Sequence, residues 1–91
     1  MALDLETTKH MPLESILWQY KDDKRNWKCM PHYYSDLYEI KFRDGEKNFS
    51  YDVVFDKGGS VYTYEVSLVH LVQHNTTTAT NRDLRRMVAF R

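Results

Sequence analysis

Apolar and polar residues alternate along most of this chain, and that alternation predicts strands. In Ile16-Leu17-Trp18-Gln19-Tyr20, Trp18 and Tyr20 fall on one face and Gln19 on the other. Trp27-Lys28-Cys29-Met30 reads as a second strand, ended by Pro31, which lacks the N–H that a ladder needs. Between them, Asp22-Asp23-Lys24-Arg25-Asn26 has the chemistry of a turn, since such side chains bond their own backbone. Residues 48–55 and 61–66 predict another hairpin, joined by Asp56-Lys57-Gly58-Gly59-Ser60, where glycine supplies positive φ without steric cost. Residues 67–74 suit a strand or a short helix; their β-branched content and length favour a strand. A polar loop over 75–81 leads to a last strand over 82–90.

One segment reads two ways. Ser35 as an N-cap, Asp36 in the first turn and Gly45 just past the end describe a short helix. Yet Tyr38, Ile40 and Phe42 alternate with Glu39, Lys41 and Arg43, and Asp44-Gly45 is a hairpin turn signal. On pattern alone the strand is slightly favoured, and the capping signals do not decide the matter. The whole then reads as about six strands, most joined by short turns, with at most one helix: an antiparallel sheet curled around an aromatic core. Residues 1–12 are polar and unpatterned. The domain is set at 15–91, with 1–14 as a linker or disordered end.

Composition narrows the partners. The 91 residues suffice for one modest core. Lys plus Arg equal Asp plus Glu at 13 each, so no overall field draws the chain to DNA or to anionic lipid, and anion binding must come from local clustering. Seven Tyr, four Phe and two Trp make the core aromatic. Cys29 is the single cysteine, which excludes an internal disulfide and points to a reducing, intracellular compartment. No apolar stretch approaches membrane-spanning length, and the N-terminus has no signal pattern.

Candidate chemistry is sparse. His70 and His74 stand at a zinc-compatible spacing, but no carboxylate or thiolate is spaced to complete a site. Cys29 as a nucleophile needs a base, and His32 lies three residues away across Pro31; a small core residue is the plainer reading. The common phosphate-cradle, hydrolase and redox motifs are absent, so neither an enzyme nor a cofactor site is expected. The informative stretch is residues 62–86, where a β-rich run ending at Gln73 is followed by a threonine-rich loop and then by Arg82, Arg85 and Arg86. Alternation sends Arg82 and Arg86 to one face and Arg85 to the other. If the run and the basic segment are neighbouring strands, Tyr64, Gln73 and Arg82 converge on a shallow hollow. Aromatic faces, an amide and guanidinium forks are what a nucleotide diphosphate requires.

These residues resemble the WWE domain, a family named for two tryptophans and a glutamate. Trp18 and Trp27 match the tryptophans, and Glu39 in LYEIKF matches the glutamate. Tyr64, Gln73-His74-Asn75, the threonine loop, Arg82 and Leu84-Arg85-Arg86 match the closing pattern. The resemblance implies an α+β fold, a half-barrel of about six antiparallel strands packed on one α-helix, and so a helix at residues 35–44. It also implies binding of poly(ADP-ribose), through iso-ADP-ribose or a terminal ADP-ribose unit. Carried over, Tyr20 and Tyr64 take adenine and ribose contacts, Gln73 a hydrogen bond, and Arg82 a phosphate. Trp27 is part wall and part core, and Trp18 is core alone. Arg86 is a second phosphate contact or the structural partner of Glu39. Two departures stand out: Ser67 occupies a position often acidic in the family, and the segment between Phe49 and Val61 is longer than in compact members.

The leading expectation is a monomeric, non-catalytic reader of poly(ADP-ribose) or ADP-ribosylated proteins, of the kind found in ubiquitin ligases and ADP-ribosyltransferases. The alternative is a protein–protein interaction module with a diverged, non-binding pocket. A single-strand RNA binder, using exposed aromatics and arginines, is the weakest of the three.

Overall fold

A computed structural model describes residues 10–89. After a 3-10 turn (Leu13–Ser15) the chain forms β1 (Ile16–Lys21), β2 (Trp27–Cys29), a helix α1 (His32–Arg43), β3 (Asn48–Val54), β4 (Val61–Ser67), β5 (Val72–Asn75) and β6 (Thr80–Val88). The six strands form one open sheet in the order β2-β1-β6-β5-β4-β3, and every neighbouring pair is antiparallel. Pairing of β1 with β6 places Trp18 opposite Arg86 and Tyr20 opposite Leu84. The sheet curls round α1, which is the half-barrel that the resemblance implied.

The core lies between α1 and the concave face, where Ile16, Trp18, Tyr38, Val66 and Leu84 are buried together. Trp18 packs its ring against Tyr38 at 5.6 Å and Phe42 at 5.7 Å between centroids. Met11 is partly buried against the same cluster, and the 3-10 turn follows after Pro12. Residues 1–9, most of the expected linker, lie outside the described residues, as does Phe90 of the expected last strand.

The segment that read two ways is helical, and the slight preference for a strand was wrong. Ser35, Tyr38, Glu39 and Phe42 are spaced i, i+3, i+4, i+7 and make up the stripe that faces the sheet. Two of the four are polar, which hides the stripe from a hydrophobicity count, while Ile40 is 46% exposed. Ser35 is also not the N-cap. The helix begins three residues earlier, after Pro31, and Ser35 is buried with its Oγ accepting the Trp18 backbone N–H at 3.0 Å. The other end matches expectation: Gly45 takes φ 78°, and its N–H donates to the Phe42 carbonyl.

Residues 67–74 are not one strand either. Leu68, Val69, His70 and Leu71 form a turn between β4 and β5. Leu71 adopts φ 55°, the left-handed conformation usually given to glycine or asparagine, so no turn residue marks the spot. Ser67 closes this turn by accepting the His70 N–H on its Oγ. His70 is therefore in the turn while His74 sits on β5, hydrogen-bonded through Nδ1 to Asn81 Oδ1.

Glu39 is completely buried and holds the layers together. Trp18 Nε1 and Arg86 Nε donate to its Oε1 at 2.9 and 2.7 Å, while Arg43 Nε and Arg86 Nη2 donate to Oε2 at 2.6 and 2.7 Å. Burial alone would push its carboxyl up, but the bonds from Arg86, Arg43 and Trp18 outweigh it and hold the group below the ordinary glutamate value. Glu39→Gln strands two guanidiniums in the core, and urea denaturation is expected to show a loss of about 3–5 kcal/mol. Because the folded value is depressed, the carboxylate's contribution is complete above the unfolded value. It falls as pH drops through that value towards the lower folded one. Glu39→Gln removes this part of the acid sensitivity; an unchanged slope of stability against pH over that range would refute the assignment.

Candidate functional site

The side chains that leave the core on the concave face follow directly from strand alternation. Trp18, Val66 and Leu84 are buried under α1. Two residues further along each strand, on the same face, stand Tyr20, Tyr64 and Arg82, all partly exposed. These line an open hollow of about 750 Å³ together with Gln73, Tyr51 and the first helical turn at Tyr34. That volume lies within the range of small-ligand sites. Gln73 joins the row because it pairs with Arg82 on one side and Val66 on the other, and cross-strand partners share a face.

The floor and one wall are aromatic and fixed by hydrogen bonds. Tyr51 stacks on Tyr64 with centroids 5.2 Å apart and planes inclined by 21°, and Tyr34 lies 5.6 Å from Tyr51. Gln73 Nε2 donates to the hydroxyl oxygens of Tyr38 at 2.9 Å and Tyr51 at 3.2 Å, and those hydroxyls bond each other at 2.9 Å. Burial pushes the Tyr51 hydroxyl up to about 12, and burial followed by the neighbouring Tyr62 raises Tyr64. Both rings are therefore neutral at physiological pH. The threonine loop is pinned by Asn75, whose Oδ1 accepts the Thr77 and Thr78 N–H groups. This holds Arg82 and Tyr64 at a fixed separation across β5.

Charge sits at the rim. The Arg82 guanidinium lies 5.7 Å from the Tyr20 ring centroid and pairs with Asp23 at 3.2 Å. Asp23 is 81% exposed, so this pair is weak and easily replaced by a stronger anion. Lys24 and Lys28 also line the hollow, with Asp22. Stacking surfaces, one amide and a few cations are chemistry suited to a planar, negatively charged group. Among the described residues no cluster of His, Cys, Asp and Glu is placed to hold a metal.

Of the six residues picked from sequence, Tyr20, Tyr64, Gln73 and Arg82 meet here, from four different strands. Trp27 and Arg86 do not. Trp27 pairs with Lys21 and so faces outward with Gln19; Arg85 lies 4.3 Å over its ring and donates from Nε to Gln19 Oε1. Arg86 is committed to Glu39, the structural alternative. Tyr51, Tyr34 and Asp23 were missed. Tyr51 was readable from the alternation Phe49, Tyr51, Val53 in β3, whereas Tyr34 and Asp23 sit in a helix start and a turn that carry no facing pattern.

A family model for the WWE domain matches residues 16–86. The chain belongs to the WWE family. The matched span opens with β1 and ends within β6, so it takes in the helix and all of the curled sheet but the end of β6. Two of the three residues that name the WWE fold, Trp18 and Glu39, are bonded directly to each other in the core. WWE domains are interaction modules for ligands or proteins, without catalytic machinery of their own. No curated protein matches the chain. No helix among the described residues is long and apolar enough to cross a membrane.

Two substitutions separate the floor from the rim. Gln73→Ala removes a buried donor from two tyrosine hydroxyls, and thermal or urea unfolding is expected to show a loss of about 1–3 kcal/mol. Arg82→Ala removes an ion pair to an exposed carboxylate and a contact with the Tyr20 ring, and is expected to change stability by about 1 kcal/mol or less. Equal losses in the two variants would contradict the division.

Proposed function

We propose that this domain is a non-catalytic reader of poly(ADP-ribose) and binds it through an iso-ADP-ribose or terminal ADP-ribose unit in the hollow. The observation that carries this reading is the convergence of Tyr20, Tyr64, Gln73 and Arg82 on one cavity. In it, Tyr20 and Tyr64 flank the adenine and its ribose, and Tyr51 backs Tyr64 from behind. Gln73, whose amide nitrogen is held by Tyr38 and Tyr51, presents a fixed acceptor-bearing group to a ribose hydroxyl or a base edge. Arg82 takes a phosphate through its fork and releases Asp23 in doing so. Trp27 and Arg86 make no ligand contact in this scheme. Ser67 bears on the turn after β4 and not on the hollow, so its departure from the acidic residue common in the family leaves the scheme intact.

The second reading, a module that docks proteins and leaves the hollow empty, draws on two carboxylates among the cations of the rim: Asp22 and Asp23 oppose an incoming anion. Calorimetric titration with iso-ADP-ribose separates the two. Arg82→Ala is expected to weaken binding by about 1.5–3 kcal/mol, the loss expected for a hydrogen bond to a charged group. Asp23→Asn frees the guanidinium and is expected to tighten binding by up to roughly fivefold. Wild-type protein whose melting curve is flat with iso-ADP-ribose, ADP-ribose and ATP alike would favour protein docking. A saturating ligand at 100 times its Kd stabilises by about 2.7 kcal/mol and would be plain in such a curve.

A further inference from the structure

The rings of the hollow do not stop at its rim. Along the concave face of the β3–β4 hairpin, Phe49 stacks with Tyr51 and Tyr51 with Tyr64. Tyr64 then meets Tyr62 edge-on at 6.3 Å, and Tyr62 stacks on Phe55 at 4.0 Å with planes inclined by 17°. Alternation places Val53, Phe55 and Tyr62 on the same face as Tyr51 and Tyr64, and Val53 itself lines the hollow. The first rings are covered by α1, whereas Phe55 at the tip is 47% exposed. Burial of the core therefore explains Phe49 and Tyr51 but not the last pair.

The tip is a built structure and not a loose loop. Phe55 N–H donates to the Ser60 carbonyl at 3.1 Å, Ser60 N–H donates to Asp56 Oδ1 at 3.1 Å, and Gly59 supplies the positive φ of 82°. These bonds present the Phe55 and Tyr62 rings in one orientation, at little further ordering cost on binding. Lys57 stands exposed in the same turn. A planar ring pair, reached through the aromatic wall of the hollow and with a cation in the same turn, is suited to a second aromatic base attached to a second phosphate. A polyanion whose units each carry a base has both features at a repeat.

We propose that Phe55 and Tyr62 form a second base-stacking subsite, which takes the aromatic base of the next unit along the chain whose first unit occupies the hollow. The proposal rests on the ADP-ribose reading of the hollow. It makes the long hairpin a length sensor: a single unit fills the hollow alone, while a longer chain also reaches the tip.

The experiment compares iso-ADP-ribose with a short poly(ADP-ribose) chain of defined length by calorimetry, on wild type, Phe55→Leu and Tyr62→Val. Both substitutions leave an aliphatic side chain and remove the ring. Wild type is expected to prefer the longer chain by at least roughly fivefold beyond the number of units offered, the factor that the low end of base–ring stacking supplies. The variants are expected to keep iso-ADP-ribose affinity and to lose that preference. Side-chain NMR signals of Phe55 and Tyr62 in wild type, shifted by the longer chain but not by iso-ADP-ribose, give the same answer without a variant. Iso-ADP-ribose binding with no length-dependent gain, or a gain that survives both substitutions, overturns the subsite alone. Failure of wild type to bind iso-ADP-ribose overturns the reading of the hollow and the subsite with it. A dimer in sedimentation that Phe55→Leu dissociates assigns the rings to a second copy of the chain and also overturns the proposal.

Discussion

A carboxylate with no access to water sets the geometry of this domain. Glu39 receives bonds from the indole of β1, a guanidinium of β6 and a guanidinium one turn further along its own helix. Hydrophobic burial is non-directional and would accept many placements of α1 on the sheet. Four short bonds to two oxygen atoms accept very few, because each displaced donor would be left buried and unpaired. The Ser35 hydroxyl adds a second fixed point, one turn nearer the N-terminus, by accepting the Trp18 backbone N–H. Together these fix where the helix ends above the strands. Since α1 stops short of Tyr20, Tyr64 and Arg82, the hollow is the part of the concave face that the helix leaves uncovered.

The legible and illegible parts of this fold divide along physical lines. Strands were legible wherever one face is buried, because a period of two survives in sequence: β1, β2, β3 and β4 lie close to where alternation put them. The helix was not legible from its own residues, since half of its inward stripe is Ser35 and Glu39. A buried charge looks like a solvated one until its partners are known. The turn after Ser67 was missed because Leu71 adopts a conformation that its side chain does not advertise. Trp27 went to the wrong face for a different reason: the register of β2 on β1 is set by the turn over residues 22–26, which places Trp27 opposite Lys21. Residue type cannot supply that register. The resemblance to a family recovered the helix, but residue-by-residue transfer could not tell Arg82 from Arg86, which share a face and differ in whether α1 lies above them.

The site's electrostatics suit holding a ligand more than changing it. The Tyr51 and Tyr64 hydroxyls are pushed up in pKa by burial, so they remain protonated and cannot serve as bases near neutral pH. The charged groups stand at the edge, as opposed ions, and the overall charge of the chain is zero. Long-range attraction of a polyanion is accordingly weak, and on the proposed reading selectivity comes from contact: ring faces for a base, an amide, one well-placed fork. A ligand held in that way engages few phosphates, and its affinity depends on salt far less than that of a polyanion in a basic groove.

Rigidity follows from the same arrangement. Tyr51 is fixed by hydrogen bonds to Tyr38 and Gln73 and by stacking on Tyr64 before any ligand arrives, and Gln73 is fixed by the two hydroxyls it donates to. The ordering cost of these side chains has thus been met in folding and does not recur on binding. Arg82 is the exception, because Asp23, its present partner, is exposed and weakly held. Wall and floor are thus preset while the ion pair at the rim is exchangeable, which suits the proposed reading: shape selects the ligand first and charge completes the contact afterwards. The same division is why, on the proposed reading, a stability measurement and a binding measurement respond to different residues: the helix-covered rows carry the fold, and the uncovered ends of those rows line the hollow.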